Sequence, residues 1–316
     1  MLEEKLSIPI SLAGDDDGQF AVTFFRPERQ PSGICFFCLP GGGTSWRYYD
    51  LGMAEGFDLS FARRMTALGH CVAAMDNPGT GDNALGAGHA FLKPRIAAEY
   101  VVQCASHVRR HMNELVSEKA TTMIGAGHSM GGMMIVLAQG HAHSFDAVCL
   151  MGSSAGGLDW GLDEHERQFV GHAQELERAL PELVARKFDG EFPLFSSGPD
   201  ASSAIFAGET PAANALLCSA IGPLYAAGGI MAMISGSFEK EACGLDCPAF
   251  FLFGGNDIGV PPTEAVSGFP ALTDVRLLVL PNTGHNHFGY RSMASFTARL
   301  DRWAEELSGL PGNPDP

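Results

Sequence analysis

Five consecutive residues, Gly127-His128-Ser129-Met130-Gly131, have the types and spacing that chemistry at a serine requires. They fit G-x-S-x-G, in which a serine stands on a sharp strand-to-helix turn with its Oγ exposed. The flanking positions are glycine because a Cβ there would collide where strand and helix approach. A helix starting after the serine would also favour developing negative charge at its N-terminus. Two other readings compete. A chain with 39 glycines matches such a pattern by chance, and Gly125-Ala126-Gly127 is a fragment of a dinucleotide-binding turn. The third glycine of that turn would fall on Met130, and the next strand ends without an acidic residue for a ribose, so the serine reading is preferred.

A serine is a weak nucleophile without a base, and the base needs a group to orient it. In strand–helix topologies with this turn the order is serine, acid, histidine. Asp257 follows an apolar run in Phe253-Gly254-Gly255-Asn256-Asp257, and His285 follows another in Asn282-Thr283-Gly284-His285. All three stand where predicted parallel strands end, so they converge on one edge of a sheet. His287 is the close rival of His285 as base and is otherwise expected to matter little. Asp76 also ends a predicted strand, but it precedes the serine and is expected to shape its own Pro-Gly turn. An oxyanion needs two N–H donors: the amide of Met130, and one from Pro40-Gly41-Gly42-Gly43, with Gly42 preferred and Gly43 the alternative. As a phosphate loop that stretch fails, because no Gly-Lys-Ser/Thr follows. His141 and His143 lie two apart on a predicted helix and cannot share a face. His285 and His287 could, but no Cys or acidic cluster joins them. Neither metal nor cofactor is expected.

These residues need elements to carry them. Residues 6–12 and 20–25 read as a hairpin around Gly14-Asp15-Asp16-Asp17-Gly18. Strands are expected at 34–39, 71–75, 122–124, 147–153, 249–253 and 275–280, the first three of them buried, and helices at 58–68, 95–118, 130–143 and 293–307. This alternation implies a parallel sheet covered on both faces. It lapses between residues 155 and 245, where helices are expected at 165–188 and within 201–235. The expectation is therefore an α/β core of residues 1–154 and 246–316 with a helical cap at 155–245. Phe206, Leu224, Tyr225, Met231 and Met233 are candidates to line an apolar acyl or ring pocket, with packing inside the cap as an equal alternative for each. The tail GLPGNPDP is expected to fray.

With LPGGG, DNPGTGDN, GHSMGG, GGNDIGVPP and NTGHNHF in this order, the chain resembles the α/β-hydrolase superfamily over nearly its whole length. The resemblance implies an eight-stranded sheet with the first hairpin antiparallel to the rest, and a cap after the sixth strand. One departure is Pro40, where many esterases and lipases carry histidine. The reaction implied is cleavage of a carboxylic ester, lactone or thioester through an acyl-enzyme on Ser129, His285 and Asp257. Acyl transfer on the same triad and a non-catalytic small-ligand receptor are the rivals. Dehalogenase chemistry is disfavoured, because the turn carries Ser and not Asp.

Composition narrows the setting. The 316 residues are 46% hydrophobic and 18% charged with a formal net charge of -16, which describes a well-cored globular protein and argues against nucleic acid or anionic membrane as a partner. The N-terminal MLEEKLSIPI predicts no signal peptide. The most apolar region, 212–234, is broken by Pro223 and several glycines, so no spanning helix is expected. Of the eight cysteines, Cys35 and Cys38 form C-x-x-C, but on a strand that spacing puts them on opposite faces. A reduced, cytoplasmic setting and a small-molecule ester-like substrate are expected, with a homodimer left open.

Overall fold

The computed structural model describes residues 1–12, 17–85, 92–116, 121–158, 161–188 and 205–309. Most of the expected hairpin turn, part of the 155–245 segment and nearly all of the C-terminal tail lie outside these residues.

Eight strands form one sheet: β1 (Leu2–Ser11), β2 (Asp17–Arg26), β3 (Ile34–Leu39), β4 (Cys71–Ala74), β5 (Thr122–His128), β6 (Ala147–Met151), β7 (Ala249–Gly254) and β8 (Val275–Leu280). Their order across the sheet is β1-β2-β4-β3-β5-β6-β7-β8. Every residue of β3, β4, β6 and β7 is buried, because helices cover both faces and a strand between two helix layers has no wet side. The antiparallel pairing differs from expectation. β2 runs against both β1 and β4, so β1 points the same way as the six parallel strands and β2 alone is reversed. A hairpin turns the chain back on itself, so its two strands cannot share a direction.

The flanking helices are α1 (Phe61–Leu68), α2 (Pro94–Val116), α3 (Met130–Ala142) and, near the C-terminus, one at Met293–Ser308. α1 starts three residues later than expected. Ser60 caps it by accepting the Arg63 N–H at 2.9 Å, and Phe57–Asp58 instead pairs with Met53–Ala54 as a two-residue ribbon. α3 is buried from Met130 through Gln139 on all sides, as a helix enclosed by sheet and neighbouring helices must be.

Between β6 and β7 the described residues form five helices: α4 (Glu164–Arg167), α5 (Ala173–Lys187), α6 (Pro211–Ser219), α7 (Ala226–Met233) and α8 (Glu239–Cys243). The single helix expected at 165–188 is two, separated near Gly171, whose φ is 75°. α5 and α7 bury Leu176, Leu180, Leu183, Ile230 and Met231 in the same apolar cluster as Met133 and Met134 of α3. Arg95 of α2 adds a polar tie, bonding Glu177 of α5 at 2.7 Å and Glu241 of α8 at 2.8 Å. Two short helices escaped the sequence reading: α8, and α9 (Pro262–Ser267). Five or six residues are too few to show a helical period.

The β5–α3 junction is among the tightest places in the described fold. A Cβ on Gly127 would lie 2.3 Å from the Gly131 carbonyl oxygen, and one on Gly131 would lie 2.2 Å from the Leu39 oxygen. Both obstacles are backbone and cannot rotate away. Gly131→Ala is therefore expected to destabilise by about 3 kcal/mol or more. Gly229→Ala, inside α7 with only a Leu224 methyl at 3.8 Å, should instead stabilise by about 0.5–1 kcal/mol. Denaturant midpoints for the two variants check this, and equal shifts would remove the argument.

Candidate active site

Ser129 links β5 to α3 with φ 53° and ψ −124°, a strained conformation for a residue with a side chain. Its N–H donates to the Met151 carbonyl of β6 at 2.7 Å, and its carbonyl accepts from Gly132 at 2.9 Å. The loop after β3 presses on it from one side, since a Cβ on Gly41 would sit 3.1 Å from the Ser129 Cβ and 3.0 Å from His128 Nδ1. That loop closes as a turn in which the Thr44 N–H and hydroxyl both donate to the Gly41 carbonyl, at 3.3 and 3.1 Å. Gly43, third in the turn, has φ 73°, a value glycine adopts readily. The closing bonds leave out the Gly42 amide.

Asp257 lies three residues past β7, and four donors converge on its carboxylate. Oδ1 accepts from His285 Nδ1 at 2.5 Å and from the Ile258 N–H at 2.8 Å. Oδ2 accepts from His287 Nε2 at 2.7 Å and from the Gly254 N–H at 3.0 Å. Burial alone would raise this carboxyl, but the two histidines outweigh burial and hold it well below the usual carboxylate range. Because Asp257 is a carboxylate, each ring nitrogen facing it carries the proton. That leaves His285 Nε2 as an acceptor in the neutral ring.

A third histidine adjoins this pair. His128 Nε2 donates to the His285 carbonyl at 2.8 Å, and its ring stacks on Tyr48 with centroids 4.5 Å apart. Burial, then the neighbouring His285 and His287, push its pKa well down, so it is a neutral spacer between the serine and histidine loops. Burial likewise keeps the Tyr48 phenol protonated.

Ser129 and His285 line one cavity of about 470 Å³ together with Met130, Gly41, Gly42, Gly43, Thr44 and Asn286. Its walls are mostly apolar, and among the described residues no Asp, Glu, Lys or Arg lines it. Phe206, Leu224 and Met233 line it as well. Tyr225 and Met231 do not. Met231 is 1% exposed and packs in the main apolar cluster, while the Tyr225 hydroxyl donates to the Leu92 carbonyl at 2.8 Å. Helix phase is the cause: α7 turns Gly229, Ala232 and Met233 to the cavity, which sends Ala227, Ile230 and Met231 to the core. Asp76 is outside the site. Its carboxylate accepts from the N–H groups of Trp46 at 2.7 Å and Asp82 at 2.8 Å, joining the aromatic loop to the turn after β4. The sequence reading passed over His128, Thr44 and Asn286. The first stands inside the serine motif and the last directly after His285, so adjacency was the available signal.

A family model described as "Alpha/beta hydrolase family" matches residues 36–300. No curated protein matches the chain. Among solved structures, a thermophilic esterase from Thermogutta terrifontis is 14% identical with a TM-score of 0.60, over 96% of this chain and 99% of that one. A monoacylglycerol lipase from Paleococcus ferrophilus is 17% identical with a TM-score of 0.61, over 92% and 99%. The N-acyl homoserine lactonase AidH, as a point mutant complexed with N-hexanoyl homoserine, is 16% identical with a TM-score of 0.57, over 99% and 100%. At such identities these are likenesses of fold.

The two carboxylates at strand ends should separate cleanly on mutation. Asp257→Asn sets an amide NH2 among four donors, so kcat should fall by roughly 10²–10⁴-fold with little change in KM. Some stability is lost too, so rates are taken per folded molecule. Asp76→Asn should lower the melting temperature while leaving the rate per folded molecule near wild type. The reverse pattern in kcat and melting temperature would overturn the assignment.

Proposed function

Because this chain belongs to the alpha/beta hydrolase family, we propose that it is a serine hydrolase that cleaves a carboxylic ester, lactone or thioester through an acyl-enzyme. The observation that carries this reading is a strained serine and a carboxylate-bonded histidine opening into one uncharged cavity. In the proposed reaction Ser129 Oγ attacks the substrate carbonyl and His285 Nε2 takes its proton. Asp257 holds the ring in the tautomer that leaves Nε2 open and stabilises the imidazolium that forms. The Met130 amide, at the start of α3, and the Gly42 amide, outside its turn's closing bonds, receive the developing oxyanion; Gly43 is the alternative donor. His285 then returns the proton to the leaving group, and a water activated by the same nitrogen releases the acid. No step calls for a metal or cofactor.

The cavity supports a neutral substrate with an apolar acyl part. Charged lining residues are absent among those described, and Leu224, Met233, Leu158 and Ile258 supply the walls. We assign residues 155–245 the role of a cap whose α7 face sets acyl preference. No helix among the described residues is long and apolar enough to cross a membrane.

Two measurements test the reading. A fluorophosphonate probe should label the wild type at Ser129. Ser129→Ala should abolish labelling and lower p-nitrophenyl ester turnover by about 10⁴-fold or more. Turnover near wild type in that variant would exclude the nucleophile, and binding without turnover in the wild type would favour a receptor. For the cap, Met233→Trp should reorder an ester panel graded by acyl length. Met231→Ala should cost about 2–5 kcal/mol of stability and leave the order unchanged. An unchanged order with Met233→Trp would reduce α7 to packing.

A further inference from the structure

His287 has no part in the mechanism above, yet it touches the same carboxylate as His285. The rings flank Gly152, where a Cβ would stand 2.9 Å from His285 Nδ1 and 3.0 Å from His287 Cε1. His285 bonds Oδ1 of Asp257 at 2.5 Å and His287 bonds Oδ2 at 2.7 Å. His287 does not line the cavity, so it cannot serve as a second base toward Ser129. Its side chain is 1% exposed and its Nδ1 is buried with no hydrogen-bond partner. Burying an imidazole with one nitrogen unpaired is unfavourable, and an apolar side chain would fill the space without that cost. The ring's hydrogen bond among the described residues goes to Asp257 alone.

We propose that His287 is a positioning residue acting through Asp257. Its Nε2–H occupies Oδ2, leaving Oδ1 to His285, and so sets how strongly His285 holds a proton. The inference rests on the Ser129–His285–Asp257 reading. Two N–H donors drawing on one carboxylate each weaken the other's bond, so His287 withdraws charge from the oxygen that faces His285. The backbone N–H groups of Gly254 and Ile258 already fix the carboxylate's orientation. Removing His287 therefore leaves the carboxylate in place with more negative charge toward His285. The other titratable groups around His285 are His128, held neutral by burial, and the phenols of Tyr48 and Tyr290, kept protonated by burial. Protonated His285 cannot act as base, so kcat/KM falls as the ring takes up a proton. A stronger Asp257–imidazolium bond holds that proton more tightly, and the acid limb moves to higher pH.

The test uses the full chain with p-nitrophenyl butyrate, with rates taken per fluorophosphonate-labelled serine. His287→Ala should move the acid limb of kcat/KM upward by about half a pH unit. It should also lower kcat a few-fold with a smaller change in KM, because a proton held more tightly on His285 is returned less readily to the leaving group. His287→Gln should return both toward wild type, because its amide nitrogen reaches the place of Nε2, and the shorter His287→Asn should not. An acid limb that stays put or moves to lower pH in His287→Ala overturns the proposal, as does equal behaviour of Gln and Asn. Should the alanine variant fail to fold, the Gln/Asn comparison decides alone. Low-field proton spectra need no turnover: the wild type should show two imidazole N–H resonances bonded to the carboxylate, one lost in each of His287→Gln and His285→Gln. A single wild-type resonance overturns the geometry. Failure of the probe to label wild-type Ser129 overturns the serine-hydrolase reading and leaves the spectra to judge His287.

Discussion

A serine held at φ 53° and ψ −124° stores strain of order 1–3 kcal/mol, and it persists only because its surroundings allow nothing else. β6 takes its N–H through Met151. The end of β3 rests on Gly131 so closely that only a hydrogen fits between Leu39 O and the Gly131 α-carbon. Ser153, just beyond β6, crowds Gly132, where a Cβ would meet its side chain at 2.5 Å. Three strand ends and one helix start thus lock a single residue. The same contact also delivers the glycine loop, because the chain that leaves Leu39 continues as Pro40-Gly41-Gly42-Gly43 and lies directly against the serine.

The residue types alone do not make this site. Ser32, His70 and Asp301 form a second serine–histidine–carboxylate chain, with Ser32 Oγ 2.8 Å from His70 Nδ1 and His70 Nε2 2.6 Å from Asp301 Oδ1. Its distances match those of a catalytic relay. None of the three lines the cavity, and Ser32 is not among the residues with positive φ. Its hydroxyl also accepts from the Ile34 N–H at 3.2 Å. This second chain ties the entry of β3 to the C-terminal helix, a structural duty. Ser129 differs in having a strained backbone, a helix start behind it and a cavity in front.

What the sequence disclosed followed from where regular patterns run long. β3 and β8 were legible to the residue, because a six-residue run between turn formers, apolar throughout in β3 and apart from Arg276 in β8, admits one reading. The serine motif, Asp257 and His285 were legible because each follows such a strand. Met231 was misplaced because α7 is apolar all round, so composition carries no phase and only packing decides which side faces the cavity; Tyr225 stands just before that helix, where its hydroxyl bonds the Leu92 carbonyl. The 155–245 segment was visible as a lapse in strand alternation, and its described residues contain no strand of the sheet. Its apolar core, continuous with that of α3, was not visible, since continuity between distant helices leaves no local pattern. His287 was weighed only as a rival base, because spacing shows that two histidines are near each other and not which carboxylate oxygen each one takes.

The cavity wall and the His285 loop are bonded into one piece. The His285 N–H donates to the Ile205 carbonyl at 2.6 Å, Asn286 Nδ2 to the Phe206 carbonyl at 2.6 Å, and the Tyr290 hydroxyl to the Ala207 carbonyl at 2.8 Å. Glu209 returns the contact, its N–H donating to the Gly289 carbonyl and its carboxylate accepting from the Arg291 N–H. The Phe206 ring meets His285 edge-on at 5.9 Å. The loop that carries the histidine therefore positions residues 205–209, and those residues in turn shield one side of the ring. A displacement of this wall must drag His285 with it, because backbone amides join them directly. On the proposed reading, shape selection at Phe206 and proton transfer at His285 are therefore coupled through these backbone bonds.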